Sequence, residues 1–239
     1  MLVSPILSST SVQGWQQIPI SENNEALVAL SRAAPKRLLV KSMYYEWGIS
    51  GALRECYART GVAERLQQAL LLLPNNLSFV IWDTWRPVQV QTTLYSDYRF
   101  RLKQLHPEWG EEQLNKETVK FVSKPSSEPT HPSPHLTGGA IDLSLINDKG
   151  ESLEMGTDFD AFGDEAQTRY FEILLERGKN LPPKEQLALE NRRILFHALT
   201  SVGFTNYSEE WWHYDFGDQF WGRIRNQHAI YGPTAPAIP

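Results

Sequence analysis

The 239-residue sequence predicts an α+β fold: a single domain with an antiparallel sheet core flanked by helices. Helical spacing of apolar residues and strict two-residue alternation both occur along the chain, and they mix without the regular βαβα order of a parallel sheet. No internal repeat and no convincing linker divides the sequence. The domain is read as 1–239, with 1–40 an N-terminal extension and 225–239 a C-terminal tail.

Residues 63–73 carry Leu66, Leu70 and Leu73 at helical spacing, and Pro74-Asn75-Asn76 stops that helix. Residues 77–82, Leu-Ser-Phe-Val-Ile-Trp, form a short β-prone run that delivers the chain to the turn Asp83-Thr84-Trp85-Arg86-Pro87. An amphipathic helix is predicted over 88–105 through Leu94, Tyr98, Leu102 and Leu105, closed by His106-Pro107. The Ser/Pro-rich stretch 123–134 has little periodicity and reads as a loop. Over 140–146, Ile141, Leu143 and Leu145 point one way and Ala140, Asp142 and Ser144 the other, so one face is core and the other is free for chemistry. A last long helix over 184–201 presents Leu187, Ile194, Leu195, Ala198 and Leu199. Gly203 breaks it, and 204–216 reads as a second functional strand region.

With 41% hydrophobic and 21% charged residues, the composition is that of an ordinary globular protein. A chain of this length buries about 70–75% of its unfolded surface, enough for a core without staples. A net charge of −5 and no Lys/Arg cluster argue against a nucleic-acid partner. Cys56 is the only cysteine, which excludes an intramolecular disulfide and a zinc–thiolate cluster. The longest apolar run, 69–74, is far short of the ~20 residues a membrane span needs. The first residues lack a basic start before their apolar run, unlike a signal peptide. The expectation is a cytoplasmic protein with no membrane partner.

Two segments concentrate chemistry: Ser133-Pro134-His135-Leu136-Thr137-Gly138-Gly139-Ala140-Ile141-Asp142, and Glu210-Trp211-Trp212-His213. In the first, two glycines between His135 and Asp142 let the backbone turn so that both side chains can meet one cation. A catalytic zinc site commonly takes three protein ligands and leaves a fourth position open, a need that two histidines and an aspartate fill. Glu210, three residues before His213, is the candidate general base. Residues three apart on an ideal strand face opposite sides, so an irregular turn is predicted at 210–212. Arg86 can supply the donor that a developing oxyanion needs.

Each assignment has a structural rival. Trp211 and Trp212 read as core packing. His131 invites a helical pairing with His135, but Pro132 and Pro134 forbid that helix; His106, His197 and His228 read as structural or exposed. An unpaired buried carboxylate costs several kcal/mol, which makes Asp142 hard to dismiss as a core residue. On spacing alone, a metal site and a satisfied core histidine stand level.

At these residues the sequence resembles the D-alanyl-D-alanine dipeptidases, the vancomycin-resistance-type enzymes within the zinc D,D-peptidases. Their Ser-x-His-x-x-Gly-x-Ala-x-Asp pattern is matched in full by Ser133 to Asp142, and their Glu-x-x-His by Glu210 to His213. The likeness extends through 44–51, 83–87, 155–160 and 191–221. The resemblance implies a zinc D,D-peptidase-like fold, with one zinc ion held by His135, Asp142 and His213. It further implies Glu210 as base and acid, Arg86 as transition-state stabiliser, Asp160 as receptor for the ammonium of a small dipeptide substrate, and Ser133 as a contact at the substrate's C-terminal end. Trp47 to Gly51 and Thr84-Trp85 depart from the family's pattern, which bears on the pocket's shape. The rival readings are a D,D-carboxypeptidase or endopeptidase acting on longer peptidoglycan peptides, and a non-catalytic zinc-binding module.

Overall fold

In the computed structural model, residues 2–34 and 36–237 are described. The chain first forms β1 (Leu27–Ala29), β2 (Leu38–Val40), α1 (Met43–Glu46), β3 (Tyr57–Arg59) and α2 (Thr60–Leu72). It continues through β4 (Leu77–Asp83), α3 (Val88–Leu105), α4 (Glu111–Thr118) and β5 (Ala140–Asn147). Last come α5 (Tyr170–Glu176), α6 (Pro183–Thr200), β6 (Thr205–Asn206), β7 (His213–Asp215) and α7 (Gln219–Arg225).

Five strands form the main sheet in the order β2-β4-β5-β7-β6, while β1 and β3 make a separate antiparallel pair. All neighbours in the main sheet are antiparallel except β2 on β4. The fold is thus α+β with an antiparallel centre, as the mixed periodicities predict, and one parallel strand added at its edge.

Phe79 and Ile81 of β4 and Ile141, Leu143 and Leu145 of β5 are buried in one apolar cluster with Val62, Leu66 and Leu70 of α2 and Leu195, Ala198 and Leu199 of α6. Removing each of the Val, Leu, Ile and Phe side chains from water contributes about 1.5–3 kcal/mol. The other face of β5, expected to carry chemistry, is also buried and brings Asp142 to a cavity wall. Trp211 and Trp212 take the packing role expected of them, 1% and 2% exposed.

The long elements lie where periodicity places them, within a residue or three at each end. Their outer positions differ: Leu105 and Leu187, counted among the inward residues of α3 and α6, are exposed, whereas Ala188 and Leu189 are buried. Pro183 opens α6, where its missing N–H costs nothing. Past its end, Gly203 takes φ 104°, the turn that only glycine adopts without strain.

The segments read as an extension and a tail are woven into the body. Ile6 is 1% exposed, and its N–H donates to Glu172 at 2.8 Å. β1 and β2 both lie within 1–40. Ala229 and Tyr231 are fully buried, and Ala229 bridges to Ile20. β1 and β2 are too short to show alternation, so periodicity does not register them. Among the described residues, no helix is long and apolar enough to cross a membrane.

Candidate active site

Three elements deliver three side chains of metal-ligating type, two imidazoles and a carboxylate, to one point. His135 sits on a single 3-10 turn, Pro134–Thr137, which Gly138 ends at φ 71°. A Cβ at Gly139 would stand 2.5 Å from the carbonyl oxygen of Phe216, so the double glycine is required by close backbone approach as well as by the turn. Asp142 lies in β5, and β7 pairs with that strand so that Asp142 and His213 are direct cross-strand partners. The stretch before β7 is the predicted irregular turn, closed by Glu210 N–H on the Tyr207 carbonyl at 3.1 Å and His213 N–H on the Glu210 carbonyl at 3.3 Å.

One nitrogen or oxygen from each of His135, Asp142 and His213 lies within 4.8 Å of the others. Asp142 bridges the two rings: its Oδ2 is 3.4 Å from His135 Nε2, and its Oδ1 is 2.9 Å from His213 Nδ1. The outward nitrogens are occupied. His135 Nδ1 lies 2.7 Å from the Thr84 carbonyl, and His213 Nε2 lies 2.9 Å from Asp215 Oδ1. As a donor there, His135 turns its Nε2 lone pair inward, whereas His213, against burial, is held well above the usual imidazole range by Asp215 and Asp142 and gives up its Nδ1 proton to take a metal. All three side chains are buried.

Burial, helped by the Arg86 cation, holds His135 well below the usual imidazole range, so this ligand is neutral. Burial alone would raise Asp142, but His213 and Arg86 outweigh it and keep the carboxyl ionised. A neutral imidazole, a second imidazole and a carboxylate converging without thiolates are a borderline-soft nitrogen and oxygen set suited to zinc.

Glu210 Oε2 lies 3.8 Å from His213 Nδ1, beside the ligand cluster. Burial pushes its carboxyl up to about 8, against the lowering effect of His213. Arg86 spreads its guanidinium over four partners. Nε donates to Asp83 at 2.8 Å, Nη1 to Gln91 at 2.7 Å, and Nη2 to the Tyr44 hydroxyl at 3.2 Å and Asp142 at 3.3 Å. Asp160 has the left-handed φ of 56° and accepts from the Tyr44 hydroxyl at 2.9 Å. Burial pushes its carboxyl up to about 6.

These groups share a cavity of about 240 Å³ whose inner wall holds the ligand cluster, Glu210, Arg86, Tyr44 and Asp160. Its outer wall includes Tyr98, Phe121, Phe162 and Arg101. Tyr98 and Phe162 stack at 4.3 Å and Phe121 meets both rings edge-on, which makes the outer wall largely apolar. Ser133 is the one predicted site residue that does not line this cavity. Its hydroxyl accepts from the Ser126 N–H at 3.0 Å and faces the Lys124 carbonyl at 3.5 Å, so it braces its own loop.

Motif reading missed Tyr44, Asp83, Asp215 and Arg101. Signals existed for two of them. Asp83 is a carboxylate ending an apolar strand three residues before Arg86, and Asp215 follows His213 by two, the same-side spacing of a strand.

A family model described as D-ala-D-ala dipeptidase matches residues 51–231. A D-alanyl-D-alanine dipeptidase of Synechocystis sp. is 29% identical over 232 residues, covering 91% of this chain and 92% of its own. The D-alanyl-D-alanine dipeptidase of Escherichia coli is 29% identical over 158 residues, covering 66% and 63% respectively. Among solved structures, a vancomycin-resistance D,D-pentapeptidase in complex with Zn(II) aligns at 14% identity over 90% of this chain and 97% of that one, with a TM-score of 0.35. The family match spans well over half of the 239 residues and includes His135, Asp142, Glu210 and His213. The chain belongs to the D-Ala-D-Ala dipeptidase family.

Proposed function

We propose that this protein hydrolyses D-alanyl-D-alanine to two D-alanines, with one zinc ion held by His135 Nε2, Asp142 and His213 Nδ1. The observation that carries the reading is the convergence of those three side chains within 4.8 Å, in the same cavity as a carboxylate and a guanidinium. Zinc held by two histidines and an aspartate supplies a Lewis acid that makes water nucleophilic near neutral pH.

The chain's own residues do the rest. Glu210 takes the proton from the attacking water and returns it to the leaving amine, a transfer that suits a carboxyl raised by burial. Arg86 offers its guanidinium to the oxyanion that develops on the scissile carbonyl. It is fixed beforehand by Asp83 and Gln91, so little reorganisation is needed at the moment of reaction. Asp160 receives the substrate's ammonium, an ionic contact strengthened by its burial. The substrate carboxylate faces Arg101, which lines the cavity and has no hydrogen-bonding or ionic partner among the described residues. This assignment replaces the expected Ser133 contact. We place the activity in the cytoplasm, in dipeptide salvage or turnover beside peptidoglycan precursor synthesis rather than in cross-linking.

The experiment compares zinc-loaded protein on D-Ala-D-Ala and on N-acetyl-D-Ala-D-Ala. Cleavage of the free dipeptide alone is expected. Equal cleavage of both would replace the dipeptidase reading with a carboxypeptidase one, and zinc binding without turnover of either would leave a non-catalytic module.

A further inference from the structure

Arg192 of α6 is a guanidinium 2% exposed, with no carboxylate ion-paired to it among the described residues. Leaving such a charge without a counter-ion inside the protein is costly unless its donors are satisfied. All of its reach is spent on the main chain of one loop. Nε donates to the Met155 carbonyl at 2.7 Å, Nη1 to that of Gln167 at 2.8 Å and Nη2 to that of Glu165 at 2.8 Å. The adjacent Asn191 donates to the Glu154 carbonyl at 2.8 Å.

The two held ends of that loop bracket Asp160, which lies between them with its strained φ of 56°. Such a conformation persists in a non-glycine residue only where the surroundings impose it. The guanidinium is itself stacked, 4.7 Å from the Phe171 ring centre and 5.6 Å from that of Trp211. Gly156 makes room for this: a Cβ there would stand 2.4 Å from Phe171 Cζ and 3.3 Å from Arg192 Nη2. A planar three-way fork is what lysine lacks, so the position calls for arginine.

We propose that Arg192 is a positioning residue for recognition of the substrate's free ammonium: by holding both ends of the 155–167 loop it fixes the Asp160 carboxylate in the cavity. The inference rests on the role given to Asp160 above.

The test uses full-length zinc-loaded wild type, Arg192→Met and Arg192→Lys. For Arg192→Met, KM for D-Ala-D-Ala is expected to rise about tenfold or more with kcat held within about threefold, because ground-state binding is what is lost. The preference for the free over the N-acetylated dipeptide falls by a similar factor, Arg192→Lys lies between, and zinc content stays the same. Amide hydrogen exchange at 157–164, which needs no substrate, is expected to quicken in both variants. A folded variant with wild-type KM and wild-type preference would overturn the proposal, as would a loss confined to kcat. If Arg192→Met does not fold, Arg192→Lys keeps the buried charge and decides. Failure of the wild type to cleave D-Ala-D-Ala would count against the dipeptidase reading; the clasp would then stand or fall on the exchange rates at 157–164.

Discussion

Asp215 Oδ1 lies 2.9 Å from His213 Nε2, on the opposite side of the ring from Asp142. This carboxylate is completely buried and fixes which nitrogen faces the proposed metal site. Asp215→Ala is therefore expected to weaken zinc affinity about 10–100-fold while the sheet stays folded. Competition against a chromophoric chelator measures it, and unchanged affinity would remove Asp215 from the metal site.

Glu210 touches no metal in this assignment, so its loss separates chemistry from binding. Glu210→Ala should retain a full equivalent of zinc and lose about 10²–10⁴ in kcat. Metal analysis alongside the hydrolysis assay checks both halves, and an active variant would dismiss Glu210 as the base.

Arg86 works through the shape of its fork as well as its charge. Arg86→Lys preserves the charge but cannot hold Asp83, Gln91 and Tyr44 together. A fall of about 10²–10³ in kcat, with a smaller change in KM, is expected. Near-normal turnover by the lysine variant would show that charge alone suffices.

With its carboxyl pushed up to about 6 by burial, Asp160 is ionised above that pH and neutral below it. As pH falls through about 6 the partner for the ammonium is lost, so kcat/KM should decline on that limb, and Asp160→Asn should raise KM and flatten it. Stability runs the other way. The folded value lies above the ordinary 3.8, so the native chain binds the proton more readily than the unfolded one, and stability contributed by the protonated group is lost as pH rises through about 6. Asp160→Asn should accordingly raise the melting temperature of the metal-free protein at about pH 7 but not at about pH 4. A pH profile unchanged by the substitution would contradict the assignment.

Arg101 lines the cavity with no hydrogen-bonding or ionic partner among the described residues. For Arg101→Ala, KM for D-Ala-D-Ala should rise about tenfold with little change in kcat, whereas the C-terminally amidated dipeptide should be handled alike by variant and wild type. If the variant weakens both substrates equally, the carboxylate contact lies elsewhere.

Legibility in the sequence followed element length and residue chemistry. α2, α3, β5 and α6 are long enough for a hydrophobic period to register, and the turn before His213 followed from the conflict between a three-residue spacing and strand geometry. β1, β2 and β3 span three residues each, too few for any period, and their pairings are set by distant segments. The two chemistry-bearing segments were readable because His and Asp are costly to bury for nothing, while the three-ligand set came from the family resemblance. Asp215 carried only its two-residue spacing from His213 as a signal, and Arg101 carried none, because its place depends on which face of α3 meets the cavity. Ser133, expected at the substrate's C-terminal end, lies outside the cavity lining, and its hydroxyl accepts from the Ser126 N–H.

Asp142 and His213 face each other on one ladder, and that ladder is held by main-chain bonds rather than by the ion. The sheet register alone sets the spacing of this pair, so a shift of one residue between those two strands would turn one of the side chains to the opposite face and dismantle the cluster without altering a single residue of it.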